Sequence, residues 1–176
     1  MENKFKNISR TIYSQLKKDE LLTLSFTGEE SQFIRLNNAK IRQTGLVNDA
    51  DIHMKMIANS TTCTGSFTLS GNDDIDTKRA KLEIDRMRLE STQILKDPYL
   101  IKPGGSGSSR EIKKSNGLSF NDAVDAILPA IQGVDFVGIL SNGKMYRGNS
   151  NSLGQEHWFE TESFSLDYSL VAANHQ

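Results

Sequence analysis

Apolar residues recur with a helical period in three segments of the chain. This spacing predicts a helix over residues 3–20, a longer helix over residues 76–97, and a third helix that begins at Ser119 and that Pro129 bends or ends early. The first two sets of apolar residues fall near one face of their helix. The three sets are Phe5, Ile8, Ile12 and Leu16, then Ala80, Ile84, Met87 and Leu95, then Ala123, Val124, Ile127 and Leu128.

Elsewhere apolar and polar residues alternate over short runs, which predict strands. The predicted strands are 21–26, 31–36, 41–47, 51–58, 61–69, 134–140, 155–161 and 164–172. Most are separated by turn residues, namely Gly28, Asn37 and Asn38, Asn48 and Asp49, Asn59 and Ser60, and the pair Asn142 and Gly143. Such spacing is typical of an antiparallel meander. The sequence therefore predicts an α+β fold, in which antiparallel β-sheet packs with two to three helices.

The segment KPGGSGSSREIKKSNG, residues 102–117, is rich in Gly and Ser. It predicts a flexible loop, which is either an exposed loop or a boundary between subdomains. The loop divides the chain into an N-terminal α/β unit at 1–101, with the meander and the long helix, and a unit at 118–176, with a helix and hairpin strands. Its glycines do not predict a nucleotide site, because no Gly-Lys-Ser/Thr follows them.

Composition excludes several classes of partner. The 21 basic and 22 acidic residues give a formal net charge of −1, so no overall field favours nucleic acid or an anionic membrane. No apolar run approaches the length of a membrane span, and the N-terminus MENKFKNISR lacks the apolar region of a secretory signal. The single cysteine, Cys63, suits a reducing compartment. We expect a cytoplasmic protein that binds neither nucleic acid nor membrane.

Residues able to bind metal or act as nucleophiles form no recognisable motif. The histidines are His53, His157 and His175. None has a partner at metal-binding spacing. In a strand, Glu156, Glu160 and Glu162 would share one face whereas His157 would point to the other, and Cys63 is expected to be a small buried strand residue. The sequence predicts no catalytic residue, no cofactor site and no metal site in this chain.

A polar cluster, NSNSLG at residues 149–154, precedes the single tryptophan, Trp158. We predict that it bends the chain between two strands, with Gly154 supplying an unusual backbone angle. The preceding segment MYRGNS, residues 145–150, matches FIRLNN, residues 33–38. Both have an apolar pair, then Arg, one further residue, Asn and a small polar residue. A duplication and chance agreement each account for this match.

The order of these segments resembles the N-terminal region of the TldD/PmbA family, which is described as modulators of DNA gyrase and as metallopeptidases. The resemblance extends over nearly the whole chain and is firmest at 29–60 and 135–172. The family has an early acidic-Ser start followed by Arg and Asn, and a later NSxG turn. The similar residues here are Glu30, Ser31, Arg35, Asn37 and Asn38, then Asn151, Ser152 and Gly154.

The resemblance implies a region that frames a closed chamber, handles extended or unfolded peptide and contributes to a homo- or hetero-dimer. The family's zinc-binding H-E-x-x-x-H helix lies downstream of the NSxG strands and has no match in this chain. Zinc is therefore expected only in a further domain, and the chain alone is expected to be inactive. The residues expected to line the peptide chamber or form turns are Arg35, Asn37, Asn38, Arg147, Asn151, Ser152 and Gly154.

Two alternatives remain open from the sequence. The family pairs a zinc-bearing subunit with a related subunit that lacks the motif, and this region is similar to both. A free-standing protein-interaction module with no catalytic activity is the alternative from a different class. Peptide handling is physically plausible, because a sheet with an exposed edge takes up an extended peptide as an added strand.

Overall fold

The computed structural model describes residues 1–116 and 119–171, without the side chain of residue 120. In chain order the elements are α1 (Glu2–Tyr13), β1 (Leu21–Asn37), β2 (Lys40–Ala58), β3 (Thr61–Thr68), α2 (Asp73–Glu90), β4 (Gly107–Lys113), α3 (Phe120–Ala130), β5 (Asp135–Asn151) and β6 (Gln155–Val171). The strands are hydrogen-bonded in the order β3-β2-β1-β5-β6-β4. The predicted α+β fold, with three helices and a mostly antiparallel sheet, is confirmed.

The strands are longer than the sequence predicts, because several predicted turns lie inside strands. Gly28 lies within β1, and Asn48 and Asp49 lie within β2. The pair Asn142 and Gly143, predicted as a hairpin turn, lies within β5. The last two predicted strands join as β6. These turn predictions were wrong because residues that favour turns in isolation here pair within long strands.

Two of these glycines are required by close packing within the sheet. A Cβ at Gly28 would lie 2.8 Å from Cε1 of Phe26, so glycine leaves the space that this ring occupies. A Cβ at Gly143 would overlap the carbonyl oxygen of Glu30 and the Cα of Ser31. In a strand interior, glycine often marks such a close approach of backbones. The Asn-Gly pair therefore marks contact between β5 and β1.

The two predicted turns between β1, β2 and β3 are confirmed. Asn38 and Ala39 connect β1 to β2 with φ of 50° and 52°, and Asn59 and Ser60 connect β2 to β3 with φ of 53° and 63°. Positive φ at both central residues is the hairpin geometry that matches the twist of the flanking strands. The first turn lies one residue later than the predicted pair.

The first two helices end earlier than predicted. α1 ends at Tyr13 instead of residue 20, and α2 spans Asp73–Glu90 instead of 76–97. Leu16 lies beyond α1 and still packs against the core. Leu95, which was assigned to the apolar face of the second helix, lies beyond α2 and is 94% exposed. In both segments the helical spacing of apolar residues therefore continues beyond the end of the helix.

Side-chain caps define where α2 and α3 begin. The side chain of Asn72 accepts hydrogen bonds from the backbone N–H groups of the first turn of α2. Ser119 caps α3 as predicted, accepting from the backbone N–H of Asp122 at 3.2 Å. Pro129 lies in the last turn of α3, which ends one residue later. The predicted early end of this helix is confirmed.

The chain forms two compact units that are not consecutive in sequence. The first unit comprises Met1–Gly28, Asp49–Glu111 and Tyr146–Phe159, and the second comprises Glu29–Asn48, Ile112–Met145 and Glu160–Gln176. The predicted regions 1–101 and 118–176 each contribute to both units. The predicted Gly/Ser loop at 102–117 contains the strand β4, and its last residue lies outside the described residues.

The core of the first unit contains the buried faces of α1 and α2 and alternate residues of β1 and β2. Four aromatic rings belong to it. The ring centroid of Trp158 lies 6.1 Å from that of Phe5, 5.4 Å from that of Phe26 and 5.9 Å from that of Tyr146. The second unit has its own smaller core, which comprises Ile34, Leu36, Ala123, Ile131, Phe136 and Leu140.

Two arginines of α2 contact the outer strand β3. β3 is the first strand of the sheet, so among the described residues one side of its backbone has no strand neighbour. Nη1 of Arg79 donates to the carbonyl oxygen of Thr68 at 2.7 Å, and Nη2 of Arg86 donates to that of Thr64 at 2.6 Å. The guanidinium groups thereby occupy carbonyl oxygens that would otherwise be open to another strand.

An ion pair joins α2 to the segment before β1. Nε and Nη2 of Arg88 donate to Oε1 and Oε2 of Glu20 at 2.7 and 2.8 Å, and Nη2 also donates to the carbonyl oxygen of Gln15 at 2.7 Å. The Glu20 side chain is only 8% exposed. Hydrogen bonding from Arg88 lowers the pKa of Glu20.

We predict that Glu20→Gln flattens the acid dependence of stability. Because the pKa of Glu20 is lowered in the folded protein, its contribution is fully present above the ordinary glutamate pKa of about 4.3 and is lost as the pH falls through the lowered value. The free energy of unfolding, measured by urea denaturation from neutral to acidic pH, should fall less steeply in the variant. The neighbouring Asp19→Asn serves as the control. Parallel curves for wild type and Glu20→Gln would contradict the assignment.

We also predict that removing both edge-capping arginines causes self-association. Arg79→Ala combined with Arg86→Ala exposes the carbonyl oxygens of β3, which then pair with a second molecule. Sedimentation velocity should show larger species that increase with protein concentration. The matched control is Lys78→Ala with Lys81→Ala on the same helix, which should sediment as wild type. Equal behaviour of the two double variants would show that the arginines do not protect this edge.

Candidate functional site

The distal half of β6 has no strand neighbour on its outer side. β6 has 17 residues, whereas β4, the last strand of the sheet, has 7. The backbone N–H of Gly107 donates to the carbonyl oxygen of Gly154, and Oγ of Ser109 lies 2.8 Å from Nδ1 of His157. Counted residue by residue from Gly107 opposite Gly154, the seven residues of β4 reach only as far as Glu160. Within the described part of the chain, residues 161–171 form an unpaired edge, here called the free edge of β6.

The free edge presents large apolar side chains to solvent. Every residue from Glu162 to Val171 is exposed. The alternate positions Phe164, Leu166, Tyr168 and Leu170 have exposed fractions of 65%, 38%, 55% and 60%. Tyr168 also stacks on Phe136, with 5.3 Å between ring centroids. An unpaired backbone combined with an exposed apolar stripe is typical of a surface that binds another chain.

A cleft with a volume of about 650 Å³ adjoins the beginning of the free edge. Its walls are residues 30–32 of β1, 46–48 of β2, 142–144 of β5 and 162–164 of β6, together with Ser115 and Ser119. Glu30 and Glu162 contribute carboxylates to the lining. Lys144 contributes an ammonium group whose Nζ already lies 3.7 Å from Oε1 of Glu160. Glu162 therefore favours neutral or basic groups over acidic ones in the cleft.

One wall of the cleft contains an unused hydrogen-bond acceptor. Oδ1 of Asn142 is buried and has no hydrogen-bond partner among residues 1–116 and 119–171. Buried amide oxygens are ordinarily paired, because an unpaired one loses its interaction with water. The adjacent Gly143 keeps β5 close to β1 at this position. Asn142 thus has an unpaired acceptor next to the cleft.

The last three residues of the NSNSLG cluster, 152–154, form the turn between β5 and β6, whereas the first three, 149–151, belong to β5. Asn151 is buried, and its Oδ1 accepts from the backbone N–H groups of Leu153 and Gln155 at 2.9 and 3.0 Å. Its Nδ2 donates to the carbonyl oxygen of Gly104 at 3.2 Å and to Oε1 of Gln155 at 2.8 Å. Gly154 has φ of 98°, a value that favours glycine. Asn151 therefore organises the turn through its side chain.

Ser152 joins this turn to the beginning of β1. Its backbone N–H donates to the carbonyl oxygen of Leu22 at 2.9 Å, and its Oγ accepts from the N–H of Leu22 at 3.1 Å. Arg147, in the same unit, is exposed and donates from Nη1 to the carbonyl oxygen of Tyr146 at 2.9 Å. These contacts describe turn and strand residues, and a chamber-lining role for them stays a prediction.

The earlier group of predicted site residues belongs to the second unit. The Arg35 guanidinium lies 5.7 Å from the centroid of the Phe33 ring, and its Nη1 donates to Oε1 of Gln43 at 3.3 Å. Asn37 is the last residue of β1 and Asn38 lies in the turn that follows. None of these residues lines the cleft. Glu30 and Ser31, which the family resemblance also matched, do line it.

His53, His157 and Cys63 lie in strands. Glu156 binds Nζ of Lys6 at 2.8 Å, and no group of three or more His, Cys, Asp or Glu in the described ranges is placed to hold a metal ion. Burial raises the pKa of the Cys63 thiol, which disfavours the thiolate, the nucleophilic form. His175 lies outside the described residues. No helix within those residues is long and apolar enough to cross a membrane.

Solved structures of three proteins share this fold. A candidate modulator of a DNA gyrase from Thermotoga maritima MSB8 matches 92% of the chain with a TM-score of 0.65 at 17% identity. TldE from Thermococcus kodakarensis matches 96% with a TM-score of 0.62 at 16% identity. A candidate modulator of DNA gyrase from Bacteroides thetaiotaomicron VPI-5482 matches 96% with a TM-score of 0.58 at 16% identity.

The chain spans about two fifths of these proteins, namely 38%, 42% and 41% of their lengths. No protein-family model and no curated protein sequence matches it. At such low identity the likeness shows the fold. The resemblance to the TldD/PmbA family that the sequence predicted is confirmed at that level. A fold assigns no activity by itself, because function resides in particular sites.

We predict that Asn151→Ala strongly destabilises the protein. The substitution removes the four hydrogen bonds of the buried Asn151 side chain, which should cost about 2–4 kcal/mol of the free energy of unfolding. Asn149→Ala is the control, since Nδ2 of Asn149 donates only to Oγ of Ser25 at 3.3 Å. Urea denaturation should show a loss below about 1 kcal/mol for the control. Similar losses for both variants would contradict the role of Asn151.

Proposed function

We propose that this chain is the non-catalytic, peptide-handling part of a protein of the TldD/PmbA type. We further propose that an extended or unfolded peptide binds as an added strand at the free edge of β6. The observation that carries the proposal is the unpaired edge of residues 161–171, of which every residue from Glu162 onward is exposed. Main-chain hydrogen bonds along such an edge give affinity that tolerates many sequences.

The other outer positions of the sheet are less open to a peptide. On β3, the carbonyl oxygens of Thr64 and Thr68 already accept hydrogen bonds from Arg86 and Arg79. The first part of β6 pairs with β4, and the outer side of β4, whose sequence is GSSREIK, offers a peptide one apolar side chain, Ile112. Among the described residues, the free edge of β6 therefore combines an unpaired backbone with apolar side chains that are accessible to a ligand.

The side chains around the free edge favour a particular kind of peptide. Alternate residues of an added strand would lie beside the stripe that contains Leu166 and Tyr168, which favours apolar residues at every second position. A peptide that continues past Phe164 reaches the acidic cleft. There Asn142 accepts an N–H, and Glu162 favours a basic side chain or an amino terminus.

The proposal extends to the protein in which this domain acts. Assembly with a second subunit of the same type and zinc in a further domain are proposed from the family resemblance. A cytoplasmic location is proposed from the composition, because the single cysteine, Cys63, suits a reducing compartment. The chain alone is proposed to be inactive towards peptides. Chelator-sensitive peptide cleavage by the purified chain would contradict this part of the proposal.

We predict that an unstructured peptide with alternating apolar and basic residues binds the chain. Fluorescence anisotropy of a labelled peptide measures its affinity. The same peptide with N-methyl groups at alternate residues keeps its side chains but loses backbone donors, and it should bind at least about tenfold more weakly if the peptide adds as a strand. Equal affinity for the two peptides would contradict strand addition.

Two single substitutions, one on the free edge and one elsewhere, test whether the peptide binds at the free edge. Leu166→Lys places a charge on the apolar stripe and should weaken binding of the basic peptide at least about fivefold. Leu82→Lys is the matched control, because Leu82 is 69% exposed on α2. If both substitutions weakened peptide binding equally, the free edge would not be the binding site. Binding of a folded protein without binding of any extended peptide would instead favour the interaction module.

A further inference from the structure

A small cavity lies between α1 and the β5–β6 turn, within the first unit. Its volume is about 150 Å³, the share of about five water molecules at roughly 30 Å³ each. Ser9, Arg10 and Tyr13 of α1 form one side, and Ser150 and Gln155 belong to the other. Neither the free edge nor the cleft of the second unit includes any of these residues.

Ser9 contributes a buried hydroxyl that has no partner. The residue is only 5% exposed, and its Oγ makes no hydrogen bond within residues 1–116 and 119–171. A buried hydroxyl without a partner loses its interaction with water and gains nothing in return. Because such groups are uncommon in folded proteins, an unpaired hydroxyl that lines a cavity indicates a site for a ligand.

Several hydrogen-bond donors surround the cavity. The hydroxyl groups of Tyr13 and Ser150 lie 2.7 Å apart, and one hydrogen joins them, so the second hydroxyl hydrogen remains available. Burial raises the pKa of Tyr13, which keeps its hydroxyl protonated. Oε1 of Gln155 accepts a hydrogen bond from Asn151. The amide hydrogens of Gln155 have no acceptor in the described part of the chain, so they are also available to a ligand.

The charges at the cavity leave one cation unpaired. Nζ of Lys6 lies 3.1 Å from Oε1 of Glu2 and 2.8 Å from Oε1 of Glu156, so its charge is balanced by two carboxylates. The Arg10 guanidinium, in contrast, forms no ion pair or side-chain hydrogen bond with the described residues. Its planar donors match the geometry of a carboxylate, which such a group binds through two parallel hydrogen bonds.

We propose that this cavity binds a small carboxylate, with Arg10 as the cationic partner and the hydroxyl of Ser9 as a donor. Tyr13 or Ser150 and the amide of Gln155 supply further donors to the same group. The volume admits the carboxylate and a few neighbouring atoms, so any longer ligand extends to solvent. The carboxylate comes either from a free small acid or from the C-terminus of a peptide, which share this chemistry.

Three ligands separate these sources in a buffer without carboxylate. Acetate represents a free acid, N-acetylglycine represents a peptide C-terminus, and N-acetylglycinamide is the neutral control. NMR titration of the full chain should show saturable shifts at Ser9 and Tyr13 with the two acids and none with the amide. Affinity for N-acetylglycine at least about tenfold above that for acetate identifies a peptide C-terminus, and equal affinities identify a free acid. Shifts with the amide as large as those with the acids would overturn the proposal.

Substitutions test the two assigned residues. Arg10→Gln should weaken acid binding at least about tenfold, whereas Lys4→Gln on the same helix should leave it unchanged. Ser9→Ala should weaken binding while it raises or maintains the melting temperature without ligand, because it removes an unpaired hydroxyl. Unchanged acid affinity in Arg10→Gln would also overturn the proposal. Leu166→Lys should leave acid binding intact, so the result is independent of peptide binding at the free edge.

Discussion

The contact of Trp158 with three other aromatic rings is the interaction on which much of the first unit depends. Phe5 comes from α1, Phe26 from β1, Tyr146 from β5 and Trp158 from β6, so one cluster joins a helix to three strands. Each ring buries a large area, and tilted pairs add a further attraction. This cluster packs α1 against the sheet. At the end of α1 the hydroxyl of Tyr13 is hydrogen-bonded to that of Ser150, near the end of β5.

The sheet treats its outer strands differently, and this difference supports the proposed function. Arginines of α2 occupy carbonyl oxygens of β3, which limits further pairing there. β6 is ten residues longer than its neighbour β4, and the apolar stripe on its unpaired part is exposed to solvent. A protein that leaves such a strand uncovered exposes itself to aggregation, so a binding role offers a physical reason for it.

Local signals in the sequence correctly predicted turns and helix caps whose backbone conformation depends only on neighbouring residues. Positive φ at Asn59 and Ser60 and the Ser119 cap are conditions that neighbouring residues satisfy alone, and these predictions were confirmed. The Asn142–Gly143 turn was wrong because the same glycine also allows two strands to approach closely. Leu95 shows the corresponding limit for helices, since apolar spacing continued beyond the last residue that is helical.

The sequence by itself determined the fold class, the main hairpin turns and the resemblance that the solved structures support at the level of the fold. It also marked Glu30 and Ser31, which line the cleft. Only the tertiary structure decided which strand lacks a neighbour and which hydroxyl lacks a partner. The reason is physical: alternating apolar residues such as Leu166 and Tyr168 have the same pattern whether a strand is covered or exposed. Exposure depends on elements distant in sequence, so pairing across the sheet had to be known first.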